Sequence, residues 1–461
     1  MGTTEQIARF VVETNYFSIP SEAIRLAKNA ILDALGVTLA GSVEPAGKII
    51  AEYVKELGGT PQSGVVGNSF KSSAPLAALA NGTMAHALDY DDVLGIMTGH
   101  PTVPVLPAVI ALGEMYHSSG RIVLEAYIVG VEVEARIGSG IGPHHYAVGW
   151  HATATIGALG AATAAAKMLG LNVSETRIAM GIAASEAGGL RQNFGTMTKP
   201  FHAGNAAKNG IIAAMLARKG FTADENILEN PYGFCPVLGG EGEYNLTMMT
   251  KNLGNPFAII NPGLDMKPYP CCRFIHRCID AILNIYNENH PAVEDVIEVE
   301  CRTSPRIPRI VIHHRPKTPL EGKFSMEYCM ARGLLDGKIR MAQFTEEKVL
   351  DPRAQKLLQK VKYVHPKGLT GERIPEEVTV KLRDGRQYTH QVLEPKGAPA
   401  NPLTEEELVA KYKDCASLAL PPDAVEHSLE LLSNLEDIKD ITELANLMTL
   451  KTGQVQANLR K

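Results

Sequence analysis

The chain of 461 residues lacks any apolar run long enough to span a membrane. Its N-terminal sequence, MGTTEQIARFVVE, lacks the basic, apolar and small-residue zones of a signal peptide. The myristoylation pattern also fails, because Gln6 stands where that pattern requires Ser or Thr. From these absences we expect a cytoplasmic protein that has no membrane partner.

Positive charge and cysteine are also scarce. The sequence has 45 Lys and Arg against 50 Asp and Glu, a formal net charge of −5, so it lacks the basic surface typical of nucleic-acid-binding proteins. Its 7 cysteines are odd in number and include no C-x-x-C pair, so the sequence predicts no disulfide framework. What remains, 45% hydrophobic and 21% charged residues, is ordinary for a globular enzyme.

Helical periodicity covers almost all of the first part of the chain and returns near its end, with mixed helix and strand patterns between. We therefore predict a mainly α fold with two domains. The larger is an all-helical, discontinuous domain of residues 1–260 and 403–461. The smaller is an α+β domain of residues 261–402.

Local patterns predict individual elements. VIEVECRT alternates like a strand, and EEVTVKLRDGRQYTHQV predicts a hairpin that turns at Asp384-Gly385. LEGKFSMEYCMARGLLDG predicts a helix ending at Gly337, and a further helix is expected from Thr345 to Tyr363. In the larger domain, AAKNGIIAAMLARKG predicts a helix that follows the loop RQNFGTMTKPFHAGN.

The most informative stretch is HALDYDDVLGIMTGHP. It places His86, Asp89, Asp91 and Asp92 within seven residues, and His100 follows shortly after. So many ionisable groups beside apolar sequence are costly to bury unless they pair or carry out chemistry. Three interpretations stay open: a metal site, helix N-capping, or acid–base and positioning groups in which His86 and Asp89 pair on one helix face. The metal interpretation is the least favoured, since the stretch has no H-x-x-x-H.

Two further motifs precede helices. In GPHHYAVGWHATA, His151 lies at a predicted helix start, where it either binds a carboxylate or moves a proton, or merely caps the helix beside Trp150. His145 is expected in a solvated loop. In TKPFHAGNAAKNG, Lys199 lies close to a helix N-terminus and suits a carboxylate or phosphate, with His202 beside it. The alternative for Lys199 is an ordinary surface lysine.

The motif KPYPCCRFIHRCID brings cations next to thiols. Arg273 fits a carboxylate clamp, and Lys267 and His276 are candidate binding residues in the same segment. A zinc site formed by His276 and these cysteines is disfavoured, because the spacing matches no common zinc module. In KFSMEYCMA, Ser325 and Tyr328 share one face of a predicted helix, where core aromatic packing is the simpler interpretation.

Six motifs in order resemble those of the MmgE/PrpD family over nearly the whole chain. They are HALDYDD, GHPTVPVLPA, GWHATATIGALGAA, TKPFHAGNAAKNG, KPYPCCRFIHRCIDA and KFSMEYCMARGLLDG. The resemblance implies a large helical domain with a smaller α+β lid, a homodimer, and a site between the two domains. It implies no metal and no organic cofactor.

The resemblance also implies site residues and a substrate class. In the cis-aconitate decarboxylases of this family, the residues proposed around the substrate match five positions of this chain: Asp89, His100, His151, Lys199 and Tyr328. Val93 and Cys272 stand where those decarboxylases have threonine and histidine. The form Tyr-Pro-Cys-Cys-Arg-Phe-x-His is similar to the dehydratase and epimerase members.

We therefore predict a cofactor-independent lyase for a small di- or tricarboxylate, which dehydrates a 2-methylcitrate-like hydroxy acid by α-proton abstraction. His151 or His100 would move the proton, Asp89 would orient one of them, and Tyr328 would donate a hydrogen bond. The cationic candidates would hold the substrate carboxylates. Epimerisation of an iminodisuccinate-like dicarboxylate and cis-aconitate-type decarboxylation are alternatives. A metal-dependent hydrolase and a non-catalytic carboxylate binder are rivals from other classes.

Overall fold

A computed structural model describes residues 1–365 and 375–449 of the chain, which form two compact units. Among the described residues, the first unit combines residues 1–193, 197–266 and 404–449, and the second comprises residues 194–196, 267–365 and 375–403. The C-terminal part of the predicted helical domain, residues 450–461, lies outside the described residues.

The first unit is helical within the described residues, which confirms the predicted mainly α fold. Its helices are α1 (Thr3–Glu13), α2 (Ser21–Ser42), α3 (Pro45–Leu57), α4 (Ala74–His86), α5 (Thr102–Met115), α6 (Gly120–Ile141), α7 (Pro143–Ala147), α8 (Ala152–Met168), α9 (Val173–Ser185), α10 (Thr198–Arg218), α11 (Leu246–Thr250), α17 (Glu405–Ala416), α18 (Pro422–Ser433) and α19 (Thr442–Met448). A short antiparallel pair, β1 (Ser63–Gly64) and β2 (Lys71–Ser72), lies between α3 and α4.

The lengths and composition of the helices show whether any of them could span a membrane. Among the described helices, none is by itself long and apolar enough to cross a membrane; α2 and α3 pass that test only as a pair bent by 82°.

The core of the first unit is built from small residues, which allow close contact between helix backbones. A Cβ atom added to Gly204 of α10 would lie 2.1 Å from the carbonyl oxygen of Leu79 in α4. One added to Gly82 of α4 would lie 2.7 Å from the Cα atom of Gly204. No side chain larger than hydrogen fits at either position without movement of the backbone. This contact holds α4 and α10 together along their lengths.

The start of α10 differs from the prediction. The helix begins at Thr198, so Lys199 and His202 lie in its first two turns and not in the preceding loop. Pro200 does not prevent this, because the N–H groups of the first helical turn have no partner within the helix and a proline there removes none. The predicted start of α8 is confirmed: His151 is its N-cap residue.

The second unit combines short helices with one four-stranded sheet in the described residues, and the sheet order is β4-β3-β5-β6. Its elements are α12 (His276–Asn289), β3 (Val296–Arg302), α13 (Pro319–Gly322), α14 (Met326–Asp336), α15 (Glu346–Leu350), α16 (Pro352–Leu357), β4 (Val361–Val364), β5 (Glu376–Leu382) and β6 (Gln387–Val392). Strand β3 pairs in parallel with β4 and antiparallel with β5, which pairs antiparallel with β6.

The predicted strand is β3, and the hairpin is β5–β6 with its turn at Asp384-Gly385. The predicted helix over LEGKFSMEYCMARGLLDG ends at Gly337 as expected, but it is broken into α13 and α14, and Ser325 is the N-cap residue of α14. The single helix predicted from Thr345 to Tyr363 is wrong. Two short helices replace it, the second beginning at Pro352, and the chain then forms β4. A proline at a new helix start and the β-branched residues of VKYV explain the change.

Candidate active site

Asp91 is the centre of a buried cluster in the first unit. The Nδ1 atom of His86 lies 2.9 Å from both carboxylate oxygens of Asp91. The Nδ1 atom of His100 lies 2.8 Å from Oδ2 of the same residue. The two imidazole rings meet edge to face with 4.4 Å between their centroids. One carboxylate therefore contacts the same ring nitrogen in both histidines.

These contacts and the burial of the cluster determine which of its groups are ionised. Burial by itself would raise the pKa of Asp91, but His86 and His100 hold it well below its ordinary value. Burial, together with the charges of Lys199 and His100, lowers the pKa of His86 to about 3 against the raising effect of Asp91. Asp91 is therefore ionised and His86 neutral. A ring nitrogen so close to an ionised carboxylate carries the proton, so each histidine has its lone pair at Nε2.

Lys199 brings a buried cation to this cluster from the first turn of α10. Its Nζ atom donates to Nε2 of His86 at 2.6 Å and to Oδ1 of Asp89 at 2.9 Å. Only about a twentieth of each of the two side chains, Lys199 and Asp89, is exposed, 5% and 6% respectively. The close packing of α4 against α10 brings His86, the last residue of α4, to Lys199.

The acidic turn differs from the predicted helix-face pair. Helix α4 ends at His86, and Asp89 has a φ of +52°, in the left-handed region that non-glycine residues rarely occupy. The partner of His86 is therefore Asp91 and not Asp89. Oδ1 of Asp89 lies 3.7 Å from Nε2 of His100, and the part of Asp89 in orienting a histidine stays a prediction.

His151 and His202 complete the group. Their Nδ1 atoms lie 3.1 Å apart, and the ring of His151 stacks at 5.9 Å from that of His86. Burial, and then the charge of Lys199, lowers the pKa of His151 well below its ordinary value and that of His202 to about 4. The backbone N–H of His100 donates to Thr153 Oγ1 at 3.0 Å, so the start of α8 positions both His100 and His151.

Asp92 has a structural role that matches the capping interpretation. Its carboxylate accepts hydrogen bonds from the hydroxyl and the backbone N–H of Thr102, the first residue of α5. The Thr102 hydroxyl also lies 2.7 Å from the Tyr127 hydroxyl. Burial raises the pKa of Asp92 to about 8. Asp92 thus fixes the start of α5 from within the same acidic turn.

A metal ion is the main alternative for the cluster. Ligand atoms of His86, Asp89, Asp91 and His100 all lie within 4.8 Å of one another, and these four residues would hold such an ion. Lys199 opposes it, because its ammonium group already occupies His86 Nε2 and one oxygen of Asp89 and would repel a second cation. Among the described residues, His276 and the neighbouring cysteines form no comparable group.

Four predicted site residues belong to the second unit, and their part in the site stays a prediction. Lys267 and Tyr328 are fully buried, and the Tyr328 hydroxyl donates to the carbonyl oxygen of Gln343. His276 opens α12, with Nε2 3.2 Å from the Cys271 carbonyl oxygen. The fourth, Arg273, lies in a single turn of 3₁₀ helix just before it.

The cluster therefore brings together Asp89, His100, His151, Lys199 and His202, five of the residues singled out in the sequence. Sequence reasoning missed that Asp91 contacts both histidines, although Asp91 stood in the same motif. It proposed that His86 is a positioning group paired with Asp89, whereas its partners are Asp91 and Lys199.

Comparisons with known proteins show which family the chain resembles over its length. The MmgE/PrpD N-terminal domain matches residues 5–247, and the MmgE/PrpD C-terminal domain matches residues 269–437. Cis-aconitate decarboxylase from Mus musculus is 30% identical over 99% of this chain and 95% of its own length. The Homo sapiens enzyme is 30% identical over 96% and 94%, and 2-methylcitrate dehydratase from Escherichia coli is 24% identical over 82% and 83%.

These relatives are lyases, and the chain is a lyase-type enzyme. It belongs to the MmgE/PrpD family, as the resemblance of its motifs predicted.

One further histidine differs from the prediction. His145 is not solvated: it lies in α7, is 1% exposed, and its Nε2 is 2.9 Å from the Thr155 hydroxyl oxygen. Burial lowers its pKa to about 4. His145 lies outside the cluster. Its substitution therefore tests how one buried, neutral histidine affects the stability of the protein without disturbing the cluster.

His145→Gln should make the protein less sensitive to acid. A neutral buried histidine contributes full stability above its unfolded pKa of about 6.5, and this contribution is lost as the pH falls towards the folded value. The loss near pH 4.5 is of the order of 2 kcal/mol, and glutamine cannot take up the proton. Thermal unfolding midpoints at pH 7.5 and 4.5 measure the difference. His144→Gln, at the half-buried neighbouring histidine, is the control, and an equal acid-induced drop in both variants would contradict the prediction.

Proposed function

We propose that this lyase moves a proton at the carbon next to a carboxylate in a small di- or tricarboxylate, and dehydrates a 2-methylcitrate-like hydroxy acid. The observation that carries the proposal is the contact of 2.8 Å between Asp91 and Nδ1 of His100. A carboxylate behind an imidazole fixes its tautomer and stabilises the imidazolium that forms when the other nitrogen takes a proton. Chemistry of this kind uses side chains alone.

His100 is the better proton acceptor of the cluster. Nε2 of His86 already accepts a hydrogen bond from Lys199, and the His86 side chain is fully buried. The His100 side chain is 12% exposed, so its Nε2 is the more accessible lone pair. His151, with its pKa held low, serves as a neutral hydrogen-bonding group. The proposal therefore assigns the proton transfer to His100 and not to His151, which the sequence alone left as equal candidates.

The proposed step balances with these groups. His100 Nε2 takes the α proton, and the C–H electron pair moves into the adjacent carboxylate as an enolate-like charge. Lys199 stabilises that charge. The electrons then return to form the carbon–carbon double bond and expel the β-hydroxyl. His100 returns the proton to it, so water leaves and the histidine is neutral again.

The relatives support the substrate class, since cis-aconitate and 2-methylcitrate are both small tricarboxylates. Identity is higher to the decarboxylases. Two departures favour dehydration: Val93 and Cys272 stand where the decarboxylases have threonine and histidine. Epimerisation and decarboxylation also involve proton transfer at the same carbon, so the same residues would serve them.

Proton NMR in D2O separates these reactions with a panel of citrate, 2-methylcitrate, cis-aconitate, iminodisuccinate and tartrate. We expect a new vinyl signal from citrate. From 2-methylcitrate we expect a net dehydration product, seen as loss of the methine signal with collapse of the methyl doublet to a singlet, or as a vinyl signal where the methylene proton is removed. A vinyl product with release of CO2 would indicate decarboxylation, and loss of an α-proton signal without net product would indicate epimerisation. No exchange with any compound would refute the substrate class. About one divalent ion per chain, lost together with activity on chelation, would favour the metal-dependent hydrolase.

Substitutions in the cluster should affect kcat and KM differently. Asp91→Asn should lower kcat by about 10²–10⁴-fold with little change in KM, because it disturbs the tautomer of His100. Lys199→Met should lower kcat and raise KM, since it removes carboxylate binding and charge stabilisation. His145→Gln is the control, as a buried histidine outside the cluster. Full activity in folded Lys199→Ala and His151→Ala variants would refute the proposal.

We further propose that the enzyme is a homodimer, as the family resemblance implies. Exposed apolar side chains in the first unit, among them Leu190 and Met197, are available to an interface. Light scattering on the purified protein should give twice 49.7 kDa, and a value near 49.7 kDa would refute it.

A cytoplasmic location is also proposed. All of its cysteines, from Cys235 to Cys415, are buried in the fold and form no disulfide bond in the described residues, which suits a reducing compartment.

A further inference from the structure

A buried ion pair links the C-terminal segment to the acidic turn. Lys411 of α17 lies 2.6 Å, through its Nζ atom, from Oδ1 of Asp33 in α2. Both side chains are almost wholly inaccessible, with 5% and 1% exposed. The same Nζ atom donates to the backbone carbonyl oxygen of Tyr90 at 2.8 Å and lies 3.9 Å from the centroid of the Tyr90 ring.

The backbone carbonyl group that Lys411 binds lies between Asp89 and Asp91 of the acidic turn. It belongs to the peptide that joins Tyr90 to Asp91. Asp89, which precedes Tyr90, is in the left-handed conformation, which is strained for a non-glycine residue and persists only where the surroundings enforce it. A donor that fixes the direction of the Tyr90 carbonyl fixes the orientation of the peptide that leads into Asp91.

We propose that Lys411 is a positioning residue for the active site. Through the Tyr90 carbonyl it holds the turn from Asp89 to Asp91, so that the Asp91 carboxylate stays against Nδ1 of both histidines. The inference rests on the proposed function and deepens it, because the tautomer of His100 depends on Asp91. Lys411 acts on the reaction through this turn.

A variant that is merely less stable would also lose activity, so the test has to separate loss of stability from loss of positioning. Removing Lys411 alone leaves the Asp33 carboxylate buried without its ion pair, which destabilises a protein strongly. Two double variants avoid the unpaired charge: Asp33→Asn with Lys411→Met, and Asp33→Asn with Lys411→Gln. Both lack the ion pair and share Asn at position 33, but only the glutamine form keeps an N–H donor at position 411, where Lys411 contacts the Tyr90 carbonyl.

The chain contains a matched control. Lys28 of α2 donates to the carbonyl oxygen of Ser433 at 2.9 Å and pairs with Glu436 at 2.9 Å. This is the same chemistry, a lysine bonded to one carbonyl and one carboxylate, and it also ties the C-terminal segment to α2. It does not involve the acidic turn. The control is therefore Lys28→Met with Glu436→Gln.

Three readouts on the full-length enzyme test the proposal: thermal unfolding, the imidazole N–H signals of protein labelled with ¹⁵N-histidine, and kcat and KM for the substrate found in the NMR panel. We expect the methionine form to shift the imidazole signals and to lose about tenfold to a hundredfold in kcat, with KM little changed. The glutamine form should recover most of kcat, and the Lys28 control should keep it.

Equal kcat in the methionine and glutamine forms, or unchanged histidine signals in the methionine form, would overturn the positioning role. If the double variants do not fold, Lys411→Arg provides the test, since it keeps the charge opposite Asp33 and moves the donor. There, an unchanged kcat with unchanged histidine signals would overturn it. Failure of the proposed function is distinct: the wild type would turn over no carboxylate, while the histidine signals would still report on the turn.

Discussion

A single ionised carboxylate buried between two imidazoles sets the conditions for the rest of this site. Asp91 keeps its charge in the protein interior because His86 and His100 present N–H groups to it, and this arrangement leaves both lone pairs at Nε2. Lys199 then has a neutral acceptor in His86 and a carboxylate in Asp89. With two carboxylates and one ammonium, the cluster has no surplus positive charge of its own. A substrate with several carboxylates therefore needs cations from beyond this group.

Three helix ends deliver these groups to one place. Helix α4 ends at His86, α8 begins after His151, and α10 begins just before Lys199. Helix ends are suited to this task, because the chain changes direction there and short polar turns reach into a core that the helices themselves keep apolar. This arrangement requires Asp89 to adopt a left-handed backbone conformation, which the contacts of the turn have to maintain.

The sequence predicted local features better than distant partnerships. The helix start at His151, the strand β3 and the β5–β6 hairpin follow from patterns within a few residues. The pairing of His86 with Asp89 failed because helical spacing was applied past the last residue of α4. The link between Lys411 and the acidic turn has no local signal at all, since a buried lysine in an ordinary amphipathic helix looks the same as an exposed one until the fold is known.

The alanine-rich interior described for the helical unit has a thermodynamic consequence. Its central cluster includes fourteen buried residues, most of them alanine, from Ala74 to Ala217. Alanine and glycine have no side-chain rotamers to lose on folding, so ordering this core costs little side-chain entropy, while each residue also buries little apolar area. Such a core cannot respond to a change by adjusting rotamers. Displacements are transmitted through rigid backbones, and a methyl group added between α4 and α10 would displace His86 and Lys199, which these two helices contribute to the buried cluster.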